Sequence, residues 1–361
     1  MLQLVLLSWT AAEAALVPVQ HHLLPRSAPP HLLPRSAPPR AHRLNLIAQS
    51  CEPHARLILV RHGQSEWNRA NLFTGWVDVD LTEQGISEAR EVGRLIAAEG
   101  LHVDEVHTSM MRRTIRTSVL LLSTLNGCWI PVHKHVELNE QHSGMLTGRN
   151  KRELAQEYGE DTVMGWRRKY DELPPLLPDG NPLQKAFKAD ARYEPSDVPG
   201  AESLRMVCAR LEPLWQETLQ PALVAGKTVL VVSHGNTLRA LVKKLDGISD
   251  DDVFHLDVPT GTPLLYDFDE DLKHVHSHGL WADREGCVRH GRFLCDEARV
   301  RAAQLAMRDQ VRQDIAYSPL SADGNLVQAA FAAQTAGRAL AEIEGEAYTV
   351  RQTPPAYFFQ V

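Results

Sequence analysis

The chain has 361 residues, with 38 basic and 45 acidic side chains and a net charge of −7. Its 43% hydrophobic and 23% charged content is that of a globular protein, above the apolar level at which chains stay disordered, and the length admits one large domain or two modest ones. No apolar run reaches the ~20 residues of a membrane-spanning helix. The acidic balance argues against general nucleic-acid binding. Five scattered cysteines, Cys51, Cys128, Cys208, Cys287 and Cys295, form no CxxC pair and indicate neither a disulfide framework nor a zinc knuckle.

The first 56 residues carry five arginines against Glu13 and Glu52, a net +3, which leaves −10 for the remainder. Leu2–Val17 is apolar and contains Ala12-Glu13-Ala14, a small-x-small cleavage pattern, although no basic residue precedes it. The following stretch is rich in Pro, Ser, Arg and His, and His22–Pro30 (HLLPRSAPP) recurs as His31–Pro39. So short a Pro-rich repeat is low complexity rather than a solenoid. Residues 1–54 are therefore expected to be a disordered leader and targeting presequence. A signal-like segment followed by a transit-like one suits import into a plastid, or a mitochondrion; a disordered N-terminus on a cytoplasmic enzyme is the alternative.

The body begins at Ala55. Arg56–Val60 (RLILV) reads as a buried strand opening into Arg61-His62-Gly63. Thr82 offers an N-cap for a helix to about Ala98, with Ile86, Ala89, Val92, Leu95 and Ile96 on one face. Glu105–Thr108 reads as a strand, Ser109 leads a helix to about Ser123, and Trp129–Val136 reads as a third strand. Asn150–Tyr158 and Asp161–Tyr170 are predicted helices. The Pro-rich Leu173–Gly200 is expected to be a long loop or lid. Ala201–Leu219 is an amphipathic helix, Lys227–Val232 (KTVLVV) a buried strand, and Asn236–Lys244 a helix. The alternation predicts an α/β fold, a three-layer α/β/α sandwich with a largely parallel sheet. Beyond about Ser277, Asp296–Ile315 and Leu326–Glu346 are Ala-rich helical stretches, with no chemical motif beyond position 280. The catalytic domain is placed at 55–315, and 316–361 is an extension of unknown role.

In such sheets ligands meet the carboxyl ends of the strands. Two predicted strands end there in His-Gly pairs, Arg61-His62-Gly63 and Ser233-His234-Gly235-Asn236. Arg113 adds a guanidinium near a third strand end, and Arg with a helix N-terminus suits a phosphate dianion. His274, His276 and His278 alternate along one strand face, but no carboxylate or Cys set accompanies them in sequence. They are read as a solvated face, and no metal is expected.

These motifs stand among further blocks. They include Ser65, Trp67-Asn68, Phe73-Thr74-Gly75-Trp76, Asp78-Val79-Asp80-Leu81-Thr82 and Arg112-Arg113. They continue through Leu138-Asn139-Glu140, His142, Gly144, Gly148, Asn150-Lys151, Trp166-Arg167-Arg168, Glu202-Ser203-Leu204, Leu238–Lys243 and Val258-Pro259-Thr260-Gly261. In their order and spacing, over about residues 56–273, they resemble the histidine phosphatase superfamily, and within it the cofactor-dependent phosphoglycerate mutases.

The resemblance implies a role for each residue. His62 is expected as the nucleophile that becomes phosphohistidine. Its attacking nitrogen must be unprotonated, so its other nitrogen needs an acceptor. Arg61, Arg113 and His234 are expected around the transferring phosphoryl group, helped by Asn68, Gly235 and Asn236. Glu140 is expected as general acid and base. Thr74 and Gly75 are expected on the substrate carboxylate, and Lys151, Arg167 and Arg168 on the far anionic group. The implied activity interconverts 3-phosphoglycerate and 2-phosphoglycerate, primed by 2,3-bisphosphoglycerate, in a homodimer or tetramer. A bisphosphoglycerate carries about four to five negative charges, since the second phosphate pKa is ~6; an acidic protein must concentrate cations locally to hold it.

The sequence departs from the family pattern at Gln64, where Glu is usual, and at Gln141 and Ser143, where Arg and Tyr are usual; Arg149 replaces an apolar neighbour of Lys151. A phosphomonoesterase of the same superfamily, or a weak paralogue acting as a binding protein, are the alternatives to a mutase.

Overall fold

The computed structural model describes residues 52–275 and 288–312. The leader through Cys51, His276, His278, Cys287 and the extension 316–361 lie outside the described residues. Strand β1 (Ala55–Arg61) lies at the sheet centre, and β2 (Glu105–Ser109), β3 (Val132–His135), β4 (Thr228–Ser233), β5 (Leu264–Phe268) and β6 (Arg292–Phe293) complete the order β3-β2-β4-β1-β5-β6. The four strands from β3 to β1 are parallel; β5 and β6 add antiparallel edges. The expected three-layer α/β sandwich is thus borne out.

The strand sequences explain the layers. Successive side chains of a strand face opposite ways. Leu57 and Leu59 of β1, with Val229 and Val231 of β4, join one core cluster, whereas Ile58, Val60, Leu230 and Val232 join another. A strand covered on both faces must be apolar along its buried length, and Leu57–Val60 and Val229–Val232 are. Each fully buried Leu, Ile or Val contributes about 1.5–3 kcal/mol. After α1 (Glu66–Arg69), helices α2 (Glu83–Ala98) and α3 (Arg112–Thr124) cover one face. Thr82 caps α2 through the Gly85 amide, and Ala89, Val92 and Ile96 are buried, as the periodicity predicts.

Several expectations need correction. Helix α3 starts at Arg112 rather than at Ser109, which ends β2. Strand β3 is shorter than Trp129–Val136 and exposed along most of its length, since Trp129 lies on the surface ahead of it. Past α4 (Lys151–Tyr158) and α5 (Glu160–Arg168), the supposed loop 173–200 contains helix α6 (Pro182–Ala189). Asn181 caps it, Pro182 occupies its first turn where no donor is needed, and Leu183 and Phe187 are buried. The helix predicted over 201–219 runs as α7 (Leu204–Leu214), then a wide π turn (Trp215–Leu219), then α8 (Gln220–Val224). Pro213 and Pro221 supply no N–H to the ladder, and the turn between them widens. With α9 (Gly235–Asp246), this run covers the second face. His274 is not on a solvated strand face: it forms an antiparallel bridge to Phe268 and is half-buried. The last described elements are α10 (Glu297–Arg308) and a 3-10 turn at Asp309–Val311.

Two glycines fix how the loop after β1 meets α2. A Cβ on Gly63 would lie 2.2 Å from the Gly85 carbonyl oxygen, and one on Gly85 would lie 2.1 Å from that of Gln64. Backbone is not a yielding neighbour, and overpacking of this kind costs about 1–3 kcal/mol. Gly85→Ala is expected to lower the melting temperature by roughly 3–10 °C, measured by thermal denaturation monitored by circular dichroism.

Candidate active site

The parallel register of β1 and β4 pairs Arg61 with Ser233, and the His62 amide donates to the Ser233 carbonyl at 3.0 Å. One residue further on, His62 and His234 leave the sheet together. Their ring centroids are 5.0 Å apart at 65°, and both rings are buried. His62 Nδ1 lies 2.7 Å from the Gly63 carbonyl oxygen. A carbonyl only accepts, so Nδ1 carries the proton and Nε2 is left as a bare lone pair. Burial, followed by the charges of Arg113 and Arg61, holds His62 well below its ordinary pKa. The same burial and the same arginines hold His234 down. His234 Nε2 meets Ser109 Oγ at 2.8 Å, and Ser109 Oγ meets Thr114 Oγ1 at 2.6 Å. His234 Nδ1 is buried without a protein partner. Sequence reasoning passed over the positioning role of Ser109, which ends β2, and Thr114, in the first turn of α3.

The arginines come from three directions. Arg61 at the end of β1 donates to the Val258 carbonyl at 3.2 Å, and its Nε is buried without a partner. It packs across Gly235, where a Cβ would lie 3.3 Å from its Cζ. Arg113 donates to the carbonyls of Val77 at 2.8 Å and Gly75 at 3.0 Å. Burial brings its pKa down to about 10 against the pull of Glu140 and Asp78. Glu140 Oε1 accepts from the Gln141 amide at 2.9 Å and the Asn236 amide at 3.1 Å. The second of these belongs to the first turn of α9, where the helix end favours negative charge.

Arg61 and Glu140 line a cleft of about 770 Å³, its open mouth included. Asn68, Thr74, Gly75, Gly235 and Asn236 also line it. The oxygen of Asn68 is used in a capping box with Ser65, so its NH2 is what it can offer an anion. Lys151 and Arg167 form a second cationic group in the cleft. Burial pulls both down, Lys151 well below its ordinary value and Arg167 to about 9. Both donate to Gln310 Oε1, at 3.2 and 2.9 Å. Met307 Sδ meets Arg61 at 3.3 Å. Gln310 and Met307 reach the site from beyond position 280, where the sequence shows no chemical motif. Neither residue type announces chemistry in a sequence.

Arg168 differs from Arg167 in its partners. Expected on the far anionic group, it instead spends its guanidinium on the Phe254 and Leu256 carbonyls and on Asp257 Oδ1, at 2.6, 3.0 and 2.8 Å. Both Arg167 and Arg168 line the cleft, but Arg167 holds Gln310 there while the Arg168 guanidinium is committed to two carbonyls and Asp257. Arg239 donates five times, to Leu256, Val253, Arg167 and Arg168 carbonyls and to Asn236 Oδ1, and so fixes the main chain behind the cations. The departures from the family pattern are accommodated. Gln64 accepts from Thr82 Oγ1, and Gln141 donates to the Glu202 carbonyl. Arg210, bonded to Glu202, reaches the Glu140 carbonyl at 3.5 Å. Ser143 packs on Gly75, whose added Cβ would lie 3.1 Å from the Ser143 hydroxyl.

A buried imidazole with a free lone pair, ringed by cations and faced by a carboxylate, is a phosphoryl-transfer site built on this fold. The chain belongs to the histidine phosphatase superfamily, whose branch 1 profile matches residues 57–185 and 181–280. It is similar to the 2,3-bisphosphoglycerate-dependent phosphoglycerate mutase of Rhodococcus opacus, at 49% identity over 64% of this chain and 92% of that one. The enzyme of the same name from Nocardia farcinica is 48% identical over 61% and 89%. Among solved structures, the alpha-ribazole phosphatase of Shigella flexneri matches 61% of this chain and 94% of that one at 24% identity, with a TM-score of 0.45.

His142, packed edge-on against Trp76 and Phe187, is brought down to about 4 by burial. An unfolded His titrates near 6.5. Between about pH 6.5 and pH 4 the unfolded chain takes up a proton here and the folded chain does not, so stability is lost as pH falls through that window. His142→Phe is expected to remove about 2–3 kcal/mol of the stability difference between pH 7 and pH 4.5, measured by urea denaturation at both pH values.

Proposed function

We propose that this protein is a 2,3-bisphosphoglycerate-dependent phosphoglycerate mutase. It interconverts 3-phosphoglycerate and 2-phosphoglycerate, in glycolysis and gluconeogenesis, through a phosphohistidine at His62. The observation that carries the reading is the second cationic group: beyond the phosphoryl ring the cleft holds Lys151 and Arg167, which a simple phosphomonoesterase does not need. The names of relatives at 48–49% identity support it.

The residues fit a bisphosphorylated ligand. Arg61 Nε and His234 Nδ1 are buried polar atoms without partners beside the nucleophile, and Gln310 Oε1 stands where an anionic oxygen would satisfy Lys151 and Arg167. 2,3-Bisphosphoglycerate, held by these two groups, supplies the phosphoryl group that first loads His62. His62 Nε2 attacks phosphorus, and a P–N bond forms as the P–O bond to the glycerate breaks. Glu140 gives its proton to the departing oxygen, and in the reverse sense takes the proton of the attacking hydroxyl. Arg61, Arg113 and His234 neutralise the charge that spreads over the phosphoryl oxygens in the loose transition state. Thr74 and Gly75 take the carboxylate. The leader is read as a presequence that takes the enzyme into a plastid or mitochondrion.

The reading is tested by assaying 3-phosphoglycerate conversion with and without 2,3-bisphosphoglycerate while following free phosphate. The expected result is bisphosphoglycerate-stimulated 2-phosphoglycerate with little free phosphate, an acid-labile phosphoenzyme absent from His62→Ala, and a 10²–10⁴-fold lower kcat in Glu140→Gln. Free phosphate without isomerisation would mean that the Ser143 pocket admits water and the enzyme is a phosphomonoesterase. A separate outcome concerns Gln310, which substrate must displace. A carboxylate there makes charge-assisted bonds about twice as strong, so Gln310→Glu is expected to raise KM for 3-phosphoglycerate about 10-fold, with kcat nearly unchanged, in steady-state kinetics.

A further inference from the structure

We propose that Asp246, His274 and His290 form a zinc-binding clasp, remote from the active site, that secures the base of the C-terminal segment. Asp246 ends α9, about 16 Å along the helix axis from Gly235 at the cleft. The three side chains come from α9, from the chain after β5, and from the chain entering β6. One potential ligand atom from each lies within 4.8 Å of the others, with Asp246 buried and both histidines half-buried.

The ring nitrogens are set for a cation. His274 Nε2 lies 3.0 Å from the Leu245 carbonyl oxygen, so it carries the proton and Nδ1 is a bare lone pair. That Nδ1 is buried and has no partner, and neither has His290 Nδ1. A metal-ligating histidine commonly gives its other N–H to a backbone carbonyl in this way. The Asp246 carboxylate is itself oriented, accepting from the Arg289 and His290 amides at 2.8 and 3.3 Å and from the Tyr266 hydroxyl at 3.2 Å. The guanidinium of the neighbouring Arg289 is turned to the Asp246 and Gly247 carbonyls and to Asp252. The two imidazoles stack at 4.3 Å and 7°. Tetrahedral zinc with bonds of about 2.0–2.2 Å sets its ligands roughly 3.3–3.5 Å apart, so the set closes by rotation of the half-buried His290. His–His–carboxylate with a fourth position for water is a zinc donor set. The bound ion ties α9 and β5 to the segment that carries β6 and α10, and hence Gln310.

The test is titration of the metal-free full chain with Zn²⁺, followed by equilibrium dialysis and thermal melting, and with Co²⁺, followed by its visible absorption. One equivalent of zinc, a raised melting temperature and the intense visible bands of tetrahedral cobalt are expected. His274→Gln and His290→Gln are each expected to weaken binding at least about 10-fold and to abolish the rise in melting temperature, while His62→Ala and His133→Ala keep both. Melts in chelator separate a lost ligand from a lost fold, and Asp246→Asn, which keeps its acceptor oxygen, must weaken zinc as well. Binding that survives these three substitutions, binding lost instead in His62→Ala or His133→Ala, or no stoichiometric zinc overturns the proposal.

Discussion

The site depends on one register. Because β1 and β4 are parallel neighbours with Arg61 opposite Ser233, the next residue on each strand is a histidine at the same height. A slip of one residue would send one imidazole to the opposite face of the sheet. The register is held by the continuous apolar sequence of both strands, which buries side chains on both faces and leaves no alternative alignment of equal burial. Core packing and catalytic geometry are therefore set by the same residues.

The electrostatic consequence follows from burial. Arg61, Arg113, His62 and His234 are crowded at the carboxyl ends of the central strands; burial lowers the proton affinity of all four, and the charges of Arg113 and Arg61 lower that of both histidines further. The histidines yield their charge and the arginines, which cannot, retain it. The outcome is a neutral nucleophile inside a fixed positive field, in a protein of net charge −7. Such a field is costly in the free enzyme, and a phosphate dianion removes the cost. Lys151 and Arg167 repeat the arrangement at the far side of the cleft, where Gln310 supplies a partial substitute for the anion.

Much of this was legible in the sequence because the information is local. A run such as RLILV ending in His-Gly, a threonine ahead of an apolar periodicity, or an Asn before Lys151 states its structure within a few residues. What was not legible depends on distance. Helix α6 hides among prolines, one of which starts it. Arg167 and Arg168 are adjacent, and only the packing shows that the first holds Gln310 and the second Asp257. Met307 and Gln310 reach the cleft from about 240 and 140 residues away from their partners Arg61 and Arg167. Asp246 and His290 complete around His274 a cluster that the alternating histidines only suggested, and neither lies in that run.

The way the C-terminal segment is attached bears on the cleft. From α10 and the turn after it, only Val300 and Val311 are buried. The remaining attachments are polar: Arg308 to Asp257, Gln304 to the Asp257 carbonyl, Arg299 to the Gly261 carbonyl and Arg312 to Glu160. The exposed Arg312–Glu160 pair contributes little, about 0–1 kcal/mol, whereas the segment's root, through Val288 and Phe293, is in the core. At the far end Val311 packs with Phe73, Leu146, Leu154 and Val163, so the segment is anchored apolarly at both ends. Gln310, one residue before Val311, lies on the Lys151 and Arg167 cations, and Asp257 is bonded to both Arg168 and Arg308. Arg168, buried behind the cleft wall, thus holds the acid to which Arg308 of the C-terminal segment is paired.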